Sequence, residues 1–270
     1  MTVAIDEGSG PAVLLVHGQP GSGADWKRLA QLLSRDHRVV APDRPGWGRD
    51  ERPAMSLADN AANLAAIATS AGLEAPVTVV GHSLGGGVAI ELALLYPDVV
   101  GSLVLLASVG VDSALNSFDR LLAVPALGDP VIRAGWTATR RGIEAARRLS
   151  KTTRMNTLAE RFARLPSVRA LLWLEELPMS ATARRSFLAE QRFLLDDTAA
   201  VQRRLPQLRL PVVVVHGTAD HIVPRAAVRA LVERIPGAEF VSLEGEAHLV
   251  PFERPDLIAP IVRRYAALGR

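Results

Sequence analysis

The 270-residue sequence contains no cysteine, and this absence excludes three kinds of chemistry together. Without thiols the chain has no disulfide framework, no thiolate metal site and no cysteine nucleophile. Aromatic residues are scarce, at 4%, and no apolar run approaches the roughly 20 residues that a membrane-spanning helix needs. The remaining composition, 49% hydrophobic and 22% charged, is typical of a globular protein.

Signals for export and for bound metals are also lacking. The first residues carry neither a basic start nor an apolar stretch of signal-peptide length. Together with the lack of cysteine, this favours a cytoplasmic protein without a membrane partner. The histidines are scattered and show no metal-ligand spacing, so we expect neither a metal nor another cofactor.

Charge is distributed unevenly along the chain, although the net charge is only +3. The segment 120–205 contains 16 basic and 8 acidic residues, whereas the rest of the chain is acidic overall. A basic block raises the alternative of a nucleic-acid or partner-binding module. Such modules pair charge with a recognition motif or stacking aromatics, and neither is evident here. We therefore expect a small-molecule substrate and no nucleic-acid partner; no pattern sets an oligomeric state.

Hydrophobic patterning divides the chain into three parts. The first and third parts alternate short apolar runs, such as Ala12–Val16, with helical stretches, such as Leu57–Ser70. Continuous apolar runs of this length are typical of strands buried on both faces of a parallel sheet. The middle part has helical periodicity and proline breaks only. We predict an α/β protein with a mostly parallel, doubly wound sheet: a core of residues 1–108 and 206–270, and a helical cap of residues 109–205.

A candidate nucleophile stands at one predicted strand end. The motif GHSLG occupies residues 81–85, directly after an apolar run and before a helical pattern. A Gly-x-Ser-x-Gly at a strand-to-helix turn is a nucleophile elbow, in which a strained backbone lifts the serine hydroxyl above the sheet. The two glycines leave room for the strand and helix to pass closely. No Gly-Lys-Ser/Thr follows, which disfavours a phosphate-binding loop, so we predict that Ser83 is the nucleophile.

Two later strand ends supply the partners that a serine nucleophile needs. Asp220 follows the run VVVV at residues 212–215, and His248 follows the last predicted strand. A histidine must take the serine proton, and a carboxylate must hold that histidine in the correct tautomer. The chain order serine, acid, histidine is the order expected for this topology. Asp112, just after the apolar run at residues 103–107, is an alternative acid.

The turn after the strand Ala12–Val16 is a candidate for part of an oxyanion hole. Such a hole needs two backbone donors, and we predict that they are the N–H groups of Gln19 and Leu84. His17 lies in the same turn. We interpret it as a histidine that shapes the turn through hydrogen bonds rather than as the catalytic base.

Taken together, these motifs resemble the α/β-hydrolase fold family, whose capped members include esterases, lactonases, C–C bond hydrolases, epoxide hydrolases and dehalogenases. The matching segments are VHGQPG, APDRPGWGRD, VVGHSLGGGVAIELALLYP, VVVVHGTADHIVP and GEAHLVPFERP. The resemblance implies a cap inserted after the sixth core strand. It also implies that Asp43–Gly48 form a structural loop beside the site, with Trp47 as a possible pocket wall.

Departures from family patterns narrow the implied activity. Ser83 argues against epoxide hydrolases and haloalkane dehalogenases, which use an aspartate nucleophile. C–C hydrolases of ring-cleavage products usually have asparagine at the position of His82 and tryptophan at that of Leu249, so the likeness to them is weaker. The GHSLG motif also resembles that of cofactor-free haloperoxidases. The resemblance implies a serine hydrolase of an ester, lactone or related acyl bond in a small, mostly apolar molecule.

Two alternatives stay open, and both depend on the pocket. One is a C–C bond hydrolase of a vinylogous diketone acid, and the other is a slow-turnover ligand receptor on the same fold. Candidate pocket residues are Trp47, Trp136, Trp173 and Leu249. The cap arginines either recognise an anionic substrate or form a solvated helix face, as the helical spacing of Arg140 and Glu144 suggests.

Overall fold

The computed structural model of the chain describes residues 2–150 and 180–269. Within these residues seven strands form one sheet: β1 (Val3–Glu7), β2 (Ala12–Val16), β3 (Arg38–Pro42), β4 (Val77–His82), β5 (Val100–Leu106), β6 (Val212–Gly217) and β7 (Glu239–Leu243). Their order in the sheet is β1-β3-β2-β4-β5-β6-β7. All neighbouring pairs are parallel except β1 and β3, which are antiparallel.

Helices connect the strands and cover both faces of the sheet. They are α1 (Lys27–Leu33), α2 (Leu57–Ser70), α3 (Leu84–Leu95), α4 (Ser117–Ala123), α5 (Gly128–Ser150), α6 (Ala181–Arg204), α7 (Arg225–Arg234), α8 (Val250–Glu253) and α9 (Pro255–Leu268). One hydrophobic cluster joins α2, α3 and α7 to one face of the sheet, and a second joins α1 and α9 to the other. The predicted α/β class with a mostly parallel, doubly wound sheet is confirmed.

The central strands are apolar throughout because both of their faces are covered. Every residue of β2, β4 and β6 is buried, as their continuous apolar runs predict. Because only one residue of the edge strand β1 is buried, β1 has no continuous apolar run. The sequence pattern therefore did not predict this strand. Parallel pairing brings the carboxyl ends of β2, β4 and β6 to one edge of the sheet, where sites form in open α/β folds.

The helices α4, α5 and α6 lie between β5 and β6 in the chain. This is the expected helical insert, but five strands precede it among the described residues, whereas the family resemblance implied six. No helix in residues 2–150 or 180–269 is long and apolar enough to cross a membrane.

The helix α3 starts directly after β4 and passes close to β2. A Cβ atom on Gly85 would meet the carbonyl oxygens of Val16 and His17, and one on Gly81 would lie 2.5 Å from the Gly85 oxygen. The packing explanation for the two motif glycines is therefore confirmed. Behind this contact α3 is buried from Leu84 to Ala93, so its position is set by the core on all sides.

We expect Gly85→Ala to lower the free energy of unfolding by about 1–3 kcal/mol, because the methyl group forces two backbone segments apart. Gly135→Ala in α5 is the matched control, since nothing lies within 4 Å of its added Cβ. There a better helix former should raise stability by about 0.5–1 kcal/mol. Urea unfolding followed by circular dichroism measures both changes. Parental stability of Gly85→Ala would contradict the packing argument.

Candidate active site

The backbone of Ser83 is strained, as the motif predicts. Its φ of 52° and ψ of −121° are unusual for a residue with a side chain. Hydrogen bonds hold this conformation: the Ser83 N–H donates to the Leu106 oxygen at 2.9 Å, and the Ser83 oxygen accepts from Gly86 at 3.0 Å and Val109 at 3.2 Å. Ser83 therefore stands at the N-terminus of α3, between the ends of β4 and β5.

Asp220 and His248 meet beyond the ends of β6 and β7. The His248 Nδ1 atom lies 2.9 Å from Asp220 Oδ2. The other carboxylate oxygen accepts from the N–H groups of Ile222, at 2.8 Å, and Val223, at 3.1 Å. A carboxylate partner keeps the proton on Nδ1, which leaves Nε2 as the basic nitrogen of His248.

The environment of Asp220 keeps it ionised. Burial on its own raises the pKa of this carboxyl group. The hydrogen bond and charge of His248 and the two backbone N–H groups together outweigh burial, so the pKa of Asp220 lies below its usual value. A stable carboxylate at this position can both orient the imidazole of His248 and stabilise its protonated form.

Ser83 and His248 line one cavity of about 350 Å³. The cavity wall combines core residues with residues of α4 and α6, and much of it is apolar: Val109, Leu115, Phe118, Leu122, Phe187, Leu194 and Leu249. Leu249 thus lies where the sequence predicted a pocket residue. Asp119 is the single Asp, Glu, Lys or Arg among the described residues that line it. Burial raises the pKa of Asp119.

The turn after β2 lies against the nucleophile elbow. A Cβ on Gly18 would approach the Ser83 Cβ to 2.9 Å, so glycine is required for this contact. The next residue, Gln19, lines the cavity together with Ser83. Leu84 is the first residue of α3, and its N–H therefore lacks an intrahelical acceptor. Both predicted oxyanion donors belong to segments that border the serine.

His17 is fully buried and acts within the turn, which confirms its interpretation as a shaping histidine. Its Nδ1 lies 2.8 Å from the Gly18 oxygen, and its Nε2 accepts the backbone N–H of Arg44 at 2.9 Å. These partners assign the proton to Nδ1. Burial, followed by the charge of Arg44, lowers the pKa of His17 well below its usual value, so the ring stays neutral.

His82 connects the nucleophile elbow to the loop that carries His248. Its Nε2 lies 2.9 Å from the His248 backbone oxygen, and the two rings are 4.7 Å apart. Burial, helped by the charge of His248, lowers the pKa of His82 to about 3. The neutral ring therefore donates its Nε2 proton to that oxygen and fixes the backbone of the loop.

Asp112 and Trp47 are absent from the described residues that line the cavity beside Ser83. Asp112 is exposed on a short 3₁₀ helix, where its N–H donates to Gln202 at 3.0 Å; the acid bonded to His248 is Asp220. Trp47, in the loop after β3, is buried and lines a second cavity. Trp173 and the side chain of Trp136 lie outside the described residues.

Comparison with known proteins identifies the family and the fold. Residues 13–261 match the model of the alpha/beta hydrolase family. Pimeloyl-[acyl-carrier protein] methyl ester esterase of Aeromonas salmonicida is 29% identical over 98% of this chain and 99% of its own length. The 2-hydroxymuconate semialdehyde hydrolase of Pseudomonas putida is 28% identical over 97% of this chain and 89% of its own. A thermophilic esterase from Thermogutta terrifontis has the same fold, with a TM-score of 0.72 at 24% identity, covering 98% of this chain and 92% of that one.

The neutral state of His82 makes stability depend on pH. The unfolded chain binds a proton at His82 below about pH 6.5, whereas the folded chain binds it only near pH 3. This contribution to stability is complete above pH 6.5 and is lost as the pH falls towards 3. When the pH falls from 7 to 5, we expect the free energy of unfolding of His82→Asn to decrease by about 1–2 kcal/mol less than that of the parent protein.

Urea unfolding at the two pH values measures this difference. His221→Asn is the control, because His221 is exposed at the rim of the same cavity, and it should show the parental difference between pH 7 and pH 5. If His82→Asn loses as much stability as the parent does, the neutral buried state of His82 is wrong.

Proposed function

The chain belongs to the alpha/beta hydrolase family, and we propose that it is a serine hydrolase of an ester, lactone or related acyl bond in a small, mostly apolar molecule. The observation that carries this proposal is the 2.9 Å contact between His248 Nδ1 and Asp220 at a cavity that His248 shares with the strained Ser83. This combination supplies a nucleophile, a base and a carboxylate that orients the base.

In the proposed mechanism, the Ser83 hydroxyl attacks the acyl carbonyl while His248 Nε2 takes its proton. Asp220 holds the Nδ1 proton and stabilises the imidazolium that forms. The N–H groups of Gln19 and Leu84 bind the oxyanion of the tetrahedral intermediate. The alcohol leaves with the proton from His248. A water molecule, deprotonated by His248, then attacks the acyl-enzyme and releases the acid.

We further propose that residues 109–205 act as a cap over a core of residues 1–108 and 206–270. The lining of the cavity supports this division, because α4 contributes Phe118 and Leu122 and α6 contributes Phe187 and Leu194. The core thus provides the reacting groups, whereas the insert provides much of the surface that a substrate contacts. Substrate preference should therefore follow the insert.

We expect Ser83→Ala to lower kcat/KM for a p-nitrophenyl butyrate assay by about four to six orders of magnitude, because the nucleophile is lost. In the parent protein, product should accumulate well beyond one equivalent, which distinguishes an enzyme from a slow-turnover receptor. Ester hydrolysis that survives Ser83→Ala would disprove the assignment of the nucleophile.

Matched acid variants serve as the control for that assignment. Asp220→Asn should lower kcat by about four orders of magnitude, because the asparagine amide favours the wrong tautomer of His248. Asp112→Asn should stay close to the parental rate, since Asp112 is exposed and bonded to Gln202 through its backbone. A larger loss in Asp112→Asn would transfer the role of the acid to Asp112.

The charge of the cavity favours neutral acyl groups over anionic ones. Among the described residues, its wall presents the acid Asp119 and no lysine or arginine. A like charge close to a bound carboxylate is costly where water is excluded. A vinylogous diketone acid carries such a carboxylate, so this feature supports ester hydrolysis over the C–C bond hydrolase, which is the second candidate because of the Pseudomonas putida relative.

We expect kcat/KM for p-nitrophenyl butyrate to exceed that for mono-p-nitrophenyl succinate, a carboxylate of similar size, by at least about tenfold. Asp119→Asn should narrow this ratio, whereas Asp112→Asn should leave it unchanged. Initial rates with both esters measure the ratio. A preference for the succinate would show that cap arginines recognise an anionic substrate, and it would favour the C–C bond hydrolase.

A further inference from the structure

An ion pair between Arg44 and Glu190 crosses the protein interior. The side chains are 0% and 1% exposed, and their residues are 146 positions apart, one following β3 and the other in α6. Burial raises the pKa of Glu190 even though the Arg44 guanidinium opposes it. Burying two charges costs several kcal/mol, and apolar side chains of similar volume often stabilise a protein as well. A role beyond stability is therefore indicated.

The other hydrogen bonds that Arg44 donates within the described residues indicate that role, because their acceptors are His17 and Gly18, in the turn before Gln19. Its Nε donates to the His17 oxygen at 2.9 Å, and its Nη2 donates to the Gly18 oxygen at 2.8 Å. Its backbone N–H donates to His17 Nε2, and His17 Nδ1 in turn donates to the same Gly18 oxygen. The Gly18 oxygen thus accepts hydrogen bonds from both Arg44 and His17.

The Gly18 oxygen and the Gln19 N–H belong to the same peptide group. In a planar trans peptide these two groups point in opposite directions. Fixing the Gly18 oxygen towards Arg44 therefore directs the Gln19 N–H to the opposite side of the turn. A charged donor on the carbonyl also polarises the peptide and strengthens its N–H as a donor.

On the other side of the pair, Glu190 belongs to the helix that forms part of the cavity wall. Gln191, the next residue, lines the cavity, as do Phe187 and Leu194 on the same helical face. The ion pair ties α6 to the segment after β3. Glu190 therefore holds both the guanidinium of Arg44 and the position of α6.

We propose that Arg44 is a positioning residue that aims the Gln19 N–H at the oxyanion, and that Glu190 holds Arg44 in this orientation while it fixes α6 over the cavity. The inference rests on the proposed serine-hydrolase function. It assigns to the pair a contribution to the rate of acyl transfer that is separate from its contribution to folding.

Arg44→Lys is the most direct test. Lysine keeps the charge opposite Glu190, but a single ammonium lacks the planar fork that reaches the His17 and Gly18 oxygens together. We expect kcat/KM for p-nitrophenyl butyrate to fall by about 10–100-fold, in line with the loss of one oxyanion donor. The inhibition constant of a trifluoromethyl ketone, which forms a tetrahedral adduct with serine, should rise by the same factor. That of the matching methyl ketone should change less than about twofold.

The control is Arg204→Lys. Arg204 pairs with the buried Glu91 at 2.7 Å and also joins α6 to the core, but it contacts α3 rather than the turn. It should keep the parental kcat/KM and the parental inhibition by both ketones. The double variant Arg44→Leu/Glu190→Leu removes both charges together, so it should unfold near the parental temperature and still show the loss in kcat/KM.

The outcomes separate this inference from the proposed function. A parent protein that hydrolyses no ester would overturn the proposed function, and the inference with it. An active parent in which Arg44→Lys matches Arg204→Lys in rate and in ketone inhibition would overturn the inference alone. Equal loss of affinity for both ketones in Arg44→Lys would also overturn it, because such a loss would mean a general distortion of the cavity.

Discussion

The left-handed backbone of Ser83 is the constraint on which the site depends. A side chain at φ 52° costs about 1–3 kcal/mol, and the surrounding backbone must hold it in place. It can do so because β4, α3 and the turn after β2 come closer to one another than Cβ atoms would permit, with glycine at positions 18, 81 and 85. The same close packing that holds the strain places the hydroxyl where the strand ends converge.

Three buried histidines around this point differ in role because their partners differ. His17 and His82 donate to backbone oxygens and are kept neutral by burial, so they act as fixed parts of the scaffold. His248 has a carboxylate at Nδ1 instead. The three histidines all lie near the strand ends around Ser83, so position alone does not identify the base. The carboxylate partner Asp220 distinguishes His248 from His17 and His82.

Sequence patterns predicted most of the strands and helices and the motifs at the strand ends, because these features depend on residues that are close in the chain. Strands in a parallel sheet end at the same edge, so the motifs at Ser83, Asp220 and His248 could be placed together from spacing alone. The Arg44–Glu190 pair could not be foreseen, because no periodicity links residues 146 positions apart. Which cavity Trp47 lines likewise depends on tertiary packing that the sequence does not reveal. The catalytic roles themselves stay predictions.

Two adjacent faces of the helix α6 make different contacts, one with the core and one with the cavity. Glu190 anchors one face in the core, while Phe187, Gln191 and Leu194 form a stripe on the neighbouring face that borders the cavity. Mutations on the stripe can accumulate without disturbing the anchor, so a duplicated gene could acquire a new substrate range by altering three side chains. Under the proposed function, changes in the stripe would alter which substrates fit, while the face that carries Glu190 would keep α6 in place.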